Sequence, residues 1–146
     1  MNTDRFKRFA EFISVVYPVG DYPRVMSVAD ARGSLAKELE ALGYYVTIVD
    51  PKVPAYLGHI KEEFRAEMAQ DMDLVVGLKP DQATQEIVRA VRQCPVAVVP
   101  CCNYWPGHHG DVREAVRQEF SRLGAFVSEE VLDFPGRNIV ITGEML

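Results

Sequence analysis

One stretch of the chain concentrates side chains that bind metals or act as nucleophiles. Residues 98–110 read VVPCCNYWPGHHG and contain two adjacent cysteines, Cys101 and Cys102, followed by His108 and His109. Thiolate and imidazole groups are zinc ligands, and a cysteine with a nearby histidine is also a nucleophile with its base. Adjacent cysteines bind one zinc ion poorly, however, and neither a second cysteine pair nor a third orienting group is evident. We therefore expect no metal, and interpret the cysteines as small apolar residues that close a buried strand.

A glycine-poor variant of a nucleotide-binding loop occupies residues 27–36 (SVADARGSLA). Such loops use glycines so that the backbone turns tightly and approaches a ligand without an intervening Cβ atom. Here Gly33 is the one glycine, at the start of a predicted helix, and Ala29 and Ala31 stand where the first two glycines would be. Two interpretations stay open: a ligand-binding loop, or an ordinary turn between a strand and a helix.

Two further apolar runs end in polar residues. Asp50 ends one run about 20 residues after the first loop, where a carboxylate accepts hydrogen bonds from the hydroxyls of a ribose. The alternative is a solvated or turn-capping aspartate. In residues 77–84 (GLKPDQAT), Gly77 ends a second run, and Lys79 and Asp81 project near its carboxyl end. The alternatives there are a solvated lysine and an aspartate that caps the next helix.

Alternating helix and strand patterns position these residues. Four segments have the 3.6-residue apolar period of helices, at 3–17, 33–43, 81–93 and 111–124. Six short apolar or β-branched runs predict strands, at 24–30, 44–50, 73–78, 95–100, 125–134 and 137–144. The last two are joined by Pro-Gly at 135–136, which indicates a hairpin. Residues 55–71 fit either one helix or a short strand near 59–62 with Phe64 turned into a pocket.

The predicted fold class is α/β, a doubly wound, mostly parallel sheet with helices on both faces and a C-terminal antiparallel hairpin. The central strands are continuously apolar, which is typical of parallel strands covered on both faces. In such sheets ligands bind beyond the carboxyl ends of the strands, where the strand order reverses. The loops after residues 29, 50, 78 and 100 therefore form the candidate site.

The length and net charge of the chain limit the classes of protein to which it can belong. The 146 residues and net charge of −5 predict a single domain, residues 1–146, with residues 1–20 as an N-terminal helix packed on it, and no strong nucleic-acid footprint. No apolar run approaches the roughly 18 residues of a membrane helix, and charges interrupt the N-terminal apolar pattern, so neither a membrane span nor a signal peptide is expected. Three cysteines without a disulfide pattern predict a reduced, cytoplasmic protein. The oligomeric state stays open, a homo-oligomer included.

The element order resembles that of the class I S-adenosylmethionine-dependent methyltransferases, which have a Rossmann-like fold. The resemblance runs from Arg24 to Glu144 and includes the final hairpin VLDFPGRNIVITGE. Two local features, DLVVGLKPDQATQEIVRA and the strand-ending Pro-Cys-Cys of VAVVPCC, are similar to a branch of that superfamily with some members associated with RNA modification.

The resemblance implies S-adenosylmethionine as a small-molecule cofactor. By position it assigns the loop from Ala29 through Ala31 to Gly33 to the methionine part, Asp50 to the ribose, and the segment of Glu62, Glu63 and Phe64 to the adenine. Gly77 to Pro80 would face the methyl group and its acceptor. The acceptor would be oriented by one or more of four residues, Lys79, Asp81, Asn103 and Tyr104. Neither the acceptor nor a general base is identified.

The chain also departs from the family pattern. Ser27 stands where the first strand usually has an acidic residue, and alanines replace the glycines at 29 and 31. If these positions need positive φ, each alanine costs about 1–2 kcal/mol. The main hypothesis is a methyltransferase or methyltransferase-like protein. The alternatives are a non-catalytic relative that binds or assembles, and, ranked last, a nicotinamide-dinucleotide domain.

Overall fold

The computed structural model describes residues 4–54, 58–100, 105–107 and 110–146. Four α-helices are present among them: α1 (Asp4–Val16), α2 (Ser34–Ala41), α3 (Thr84–Arg89) and α4 (Val112–Arg122). Six strands are β1 (Arg24–Val28), β2 (Tyr45–Val49), β3 (Leu74–Leu78), β4 (Val96–Val99), β5 (Phe126–Val131) and β6 (Ile139–Glu144). Short 3-10 helices cover Ala66–Ala69, Asp81–Ala83 and Ala90–Arg92.

The six strands form one mixed sheet in the order β2-β1-β3-β4-β6-β5. The first four are mutually parallel, and β6 runs antiparallel to both β4 and β5. This confirms the predicted α/β sheet with its C-terminal antiparallel pair. The strand order reverses at β1, because β2 lies on one side of it and β3 on the other.

The central strands β3 and β4 are apolar throughout because both of their faces are covered, whereas the edge strand β5 is exposed. Successive side chains of a strand point to opposite faces, so β1 sends Met26 and Val28 toward α3 and α4 and sends Val25 toward α1 and α2.

 

Of the nine residues in β3 and β4, eight are buried, and Leu78 is the exception. The sheet is therefore the middle of three layers.

Helix α1 packs on the sheet through Phe9, Ala10 and Ile13. Val16, the last residue of the helix, is 45% exposed. Leu42 is 43% exposed because α2 already ends at Ala41, although the apolar period of 33–43 extends past it.

Residues 58–71 resolve the ambiguous segment in favour of the short extended piece. Ile60 forms an isolated parallel bridge with Val49 at the edge of β2. The Ile60 amide donates to the Ile48 carbonyl at 2.9 Å, and the Asp50 amide donates to the Ile60 carbonyl at 3.1 Å. Phe64 is buried, as expected for a side chain turned into a pocket, and a 3-10 helix follows it. Residues 55–57 lie outside the described part of the chain.

Within the described residues, the helices are all too short or too polar to cross a membrane.

Gly143 has the least space for a side chain of all the glycines. A Cβ atom at this position of β6 would overlap the ring of Phe120, which is fully buried on α4. We expect Gly143→Ala to lower the free energy of unfolding by about 1–3 kcal/mol, the usual cost of overpacking. Urea denaturation measures it. Gly20→Ala is the matched control, because a Cβ atom at Gly20 meets nothing within 4 Å. Equal stability of the two variants would contradict the proposed packing.

Candidate functional site

A cavity of about 580 Å³ lies at the carboxyl ends of β1, β2 and β3. Because the strand order reverses at β1, the loops after β1 and β3 diverge to opposite faces of the sheet and leave a crevice between them. Val28 and Ala29 line it from β1, Val49 and Asp50 from β2, and the segment after β3 lines it from the other side. Its volume is within the range of about 300–1,000 Å³ that is typical of small-molecule sites. The site predicted from the strand ends thus has a cavity.

The loop after β1 combines a left-handed alanine with a glycine. Ala29 has φ of 62°, and its amide donates to the Val49 carbonyl at 3.0 Å. Gly33 has φ of 71° at the start of α2. Ala31 is not among the residues with positive φ. One of the two alanines in the loop therefore occupies a conformation that favours glycine, at a cost of about 1–2 kcal/mol.

Asp30, which the sequence analysis missed, organises this loop. Its buried carboxylate accepts hydrogen bonds from the amides of Leu35 and Ala36 at 3.3 and 2.8 Å, and from the Ser27 hydroxyl at 3.1 Å. Burial raises the pKa of Asp30 above its ordinary value, and the hydrogen bonds from the backbone and Ser27 offset part of that rise. A carboxylate just before a helix start was the available signal, because first-turn amides need acceptors.

Asp50 follows the last residue of β2, as the sequence predicts. It is half-buried and lines the cavity. Its Oδ1 atom accepts a hydrogen bond from the Lys52 amide at 2.7 Å, which closes the turn at Pro51. Oδ2 accepts no hydrogen bond from the residues that the structure describes. The turn-capping interpretation and the ligand-binding interpretation are thus compatible, because each uses a different oxygen.

Phe64 and Glu63 form the wall beyond β2. The Ile60 bridge brings this segment alongside the end of β2. The Ile48 amide donates to Nδ1 of His59 at 3.1 Å, which fixes the start of the segment. Phe64 is 5% exposed, so its ring is held by the core while it borders the cavity. An aromatic wall suits a flat heterocycle.

The loop after β3 is strained. Lys79 and Asp81 have φ of 53° and 52°, on either side of Pro80. Lys79 is unusual on two counts, because a residue before proline favours extended backbone and a lysine disfavours positive φ. The Lys79 amide donates to the Val99 carbonyl at 2.8 Å, and the Thr84 hydroxyl donates to the Asp81 carbonyl at 2.7 Å. These bonds hold the loop.

The strained backbone positions lie in the lining of the cavity. Among the described residues, three non-glycine residues have positive φ, and all three (Ala29, Lys79 and Asp81) line the cavity. Strained backbone of this kind clusters at functional sites, where the surrounding structure holds it in place. The coincidence supports ligand binding at this edge of the sheet.

Other predicted site residues lie outside the cavity lining or outside the described residues. Ala31 and Gly33 belong to the turn that leads into α2, and Gly77 is buried beneath Ile87 and Pro80. At Gly77 a Cβ atom would come within 2.7 Å of Ile87 Cδ1, so packing accounts for the glycine. Asn103, Tyr104, Cys101, Cys102, His108 and His109 lie outside the described part of the chain, so their predicted roles stay predictions.

The charge of the cavity lining is net negative. Four carboxylates, Asp50, Glu63, Asp81 and Glu86, face two lysines, Lys52 and Lys79. One of the four, Glu86, is paired with Arg89 at 3.1 Å. The lining thus favours a cationic ligand over an anionic one.

No family sequence model matches the chain, and no curated protein matches it in sequence. Solved structures do share its fold. The magnesium protoporphyrin IX methyltransferase of Synechocystis, solved with bound S-adenosylmethionine, aligns with a TM-score of 0.68 and 12% identity over 99% of this chain and 79% of that one. An amino pentose methyltransferase from Micromonospora echinaspora, also solved with S-adenosylmethionine, aligns with a TM-score of 0.69 and 10% identity over 98% and 91%.

The chain has the fold of the class I S-adenosylmethionine-dependent methyltransferases. A precorrin-6y C5,15-methyltransferase from Geobacter metallireducens gives the same result, with a TM-score of 0.61 and 14% identity over 94% of this chain and 87% of that one. The resemblance predicted from the sequence is thereby confirmed at the level of the fold. Pro100 follows β4 directly, but the Pro-Cys-Cys motif itself continues into residues that the structure does not describe.

The backbone strain at Ala29, in the loop after β1, can be tested by substitution. We expect Ala29→Gly to raise the free energy of unfolding by about 0.5–1 kcal/mol, because relief of the left-handed alanine outweighs the added freedom of the unfolded chain. The matched variant Ala31→Gly lacks that relief and should lower it by about 0.4–1 kcal/mol. Urea denaturation of both compares them directly. Shifts of the same sign in both variants would contradict the strain at Ala29.

The raised pKa of Asp30 predicts that the stability of the protein depends on pH. Because the folded protein binds the Asp30 proton more tightly than the unfolded chain does, the stability contribution of Asp30 falls as pH rises from its ordinary pKa of 3.8 through its raised folded value. We expect the stability of the wild type relative to Asp30→Asn to decrease over that range and then level off. Chemical denaturation at a series of pH values measures this. Asp71→Asn, at an exposed position, should show no such trend, and a rising difference for Asp30→Asn would refute the assignment.

Proposed function

We propose that the chain binds S-adenosylmethionine in the cavity at the β1–β3 reversal and acts as a methyltransferase or methyltransferase-like protein. The observation that carries the proposal is Asp50, at the carboxyl end of β2, with Oδ2 directed to no described hydrogen-bond donor at the edge of that cavity. A carboxylate at this place in a doubly wound sheet is suited to the two hydroxyls of a ribose.

The chemistry of the lining fits this cofactor. S-adenosylmethionine has a sulfonium and an ammonium group against a single carboxylate, so it is a cation, and the lining is net negative. Its adenine is flat and apolar on its faces, which matches the buried wall at Phe64. The cavity volume of about 580 Å³ is sufficient for a ligand of this size class.

Residues at different strand ends would bind the cofactor and orient the acceptor. When bound, S-adenosylmethionine supplies a methyl group that its sulfonium already activates. Catalysis then rests on proximity and alignment, so the chain needs to bind and orient the acceptor. Asp50 would hold the ribose and Phe64 would contact the adenine. Lys79 and Asp81, held in strained conformations after β3, would orient the acceptor, together with the predicted Asn103 and Tyr104.

A dinucleotide fits less well. In dinucleotide-binding sheets the pyrophosphate lies at the amino end of the helix after β1. Here the Asp30 carboxylate accepts the Leu35 and Ala36 amides at that helix end. A phosphate there would meet a buried carboxylate, and the net negative lining adds to the repulsion.

The second candidate is a non-catalytic relative that keeps the fold for binding or assembly. The observation in its favour is Ala29, whose Cβ atom borders the cavity where family members carry glycine. Under either function, residues 1–146 as one domain and a cytoplasmic location remain predictions from the sequence, and the oligomeric state stays open.

Asp50→Asn tests cofactor binding. The substitution keeps Oδ1 for the Lys52 amide but removes the charge, so folding should be unchanged while affinity for S-adenosylmethionine falls about tenfold or more, the loss of one charge-assisted hydrogen bond. Isothermal titration calorimetry with S-adenosylmethionine and S-adenosylhomocysteine measures both proteins. Asp71→Asn is the matched control and should bind as the wild type does.

The outcomes separate the two candidates. Absence of heat with either ligand, at millimolar concentration and with folded protein, would refute cofactor binding. Binding that is accompanied by transfer of a labelled methyl group to a component of a cell extract, and lost in Asp50→Asn, supports the enzyme. Binding without any such transfer favours the non-catalytic relative.

A further inference from the structure

A second, smaller cavity of about 220 Å³ lies next along the same edge of the sheet. It is bordered by Pro100 after β4, by Arg113 in the first turn of α4, and by Gly136 to Ile139 at the start of β6. Among these described lining residues are two arginines, Arg113 and Arg137, and no carboxylate. Its charge is therefore opposite to that of the larger cavity.

The two cavities adjoin through Lys79. Lys79 lines the larger cavity, and its Nζ atom lies 3.9 Å from the position of a Cβ atom on Gly136, which lines the smaller one. The same ammonium group is 6.0 Å from the centre of the Phe134 ring. A ligand at the end of β4 would thus lie beside a ligand at the end of β2 and β1, across Lys79.

Arg113 is held by an ion pair, and Arg137 projects from a closed turn. Arg113 donates from Nε and Nη2 to one oxygen of Asp111, at 2.9 and 2.7 Å, which leaves Nη1 for another acceptor. Arg137 lies in the turn between β5 and β6. That turn is closed by Asn138, whose side-chain amide donates to the Leu132 and Phe134 carbonyls at 3.1 and 2.9 Å.

Asp111 is the carboxylate that faces the arginines. Its pKa is lowered to about 2, mainly by the hydrogen bonds from Arg113, and the charge of Arg137 contributes to the lowering. Arg137 is thus near the Arg113–Asp111 pair. The charge of Glu129 also acts on Arg113, but Glu129 is itself paired with Arg117 at 2.8 Å. Two guanidinium groups beside Asp111 therefore leave a net positive charge, and Lys79 adds to it.

We propose that the cavity formed by Arg113 and Arg137 is an anion subsite that binds a phosphate group of the methyl acceptor. Guanidinium groups match phosphate oxygens in geometry and in charge, and two of them from separate elements enclose a space of this size. The acceptor part of this inference rests on the proposed function. The phosphate binding does not, because it depends on Arg113 and Arg137 alone.

The test is a titration with inorganic phosphate, followed by the backbone amide signals of the full chain in NMR at constant ionic strength. The main variant is Arg137→Gln, because Arg137 makes no hydrogen bond to any residue within the described ranges and its loss should leave the fold intact. We expect saturable binding to the wild type and affinity about fivefold or more weaker in Arg137→Gln and in Arg113→Gln. Arg92→Gln, which removes an exposed arginine outside the cavity, should bind as the wild type does.

Each other outcome is decisive. Lack of saturation, or unchanged affinity in Arg137→Gln, overturns the subsite. Acetate bound as tightly as phosphate overturns the preference for phosphate. Asp50→Asn separates this inference from the proposed function, because it should lose S-adenosylmethionine binding and keep phosphate binding. If S-adenosylmethionine fails to bind the wild type while phosphate binds as expected, the anion subsite stands and its assignment to a methyl acceptor is refuted.

Discussion

The parallel pairing of β1 with both β2 and β3 is the constraint on which the site depends. Val28 is level with Val49 on one side and with Gly77 on the other, so the three strands end together. Ala29, Asp50 and Lys79 follow those ends within two residues. A one-residue change of register would reverse the faces of a strand, and both faces of the central strands are buried against helices. Core packing thereby fixes the positions of polar residues that take no part in it.

The loops at this edge are held in conformations that their residues disfavour. Ala29 and Lys79 have positive φ, and each costs about 1–2 kcal/mol. Whole domains are stable by only about 5–15 kcal/mol. The hydrogen bonds from the Ala29 amide to Val49 and from the Lys79 amide to Val99 extend the sheet ladder past the strand ends and offset part of this cost.

Electrostatics divides the same edge into two parts. The cavity at β1 and β2 has a surplus of carboxylates, and the cavity at β4 and β6 has two arginines. Asp30 accentuates the first part, because its carboxylate occupies the amino end of α2. The net charge of −5 conceals this division, since it sums the groups of both cavities with all other charges of the chain.

Apolar patterning by itself determined the six strands, the helices between them and the α/β class, because the continuous apolar runs admit few other arrangements. It also located Asp50, Lys79 and Asp81 at strand ends, and the sheet brings all three to one cavity. Only the tertiary structure decided which alanine of the first loop is strained, that Gly77 serves packing, and that Asp30 fills the helix end. It also joined Arg113 and Arg137, which are 24 positions apart in the sequence. These outcomes depend on backbone angles and on contacts between distant segments, which local sequence patterns do not specify.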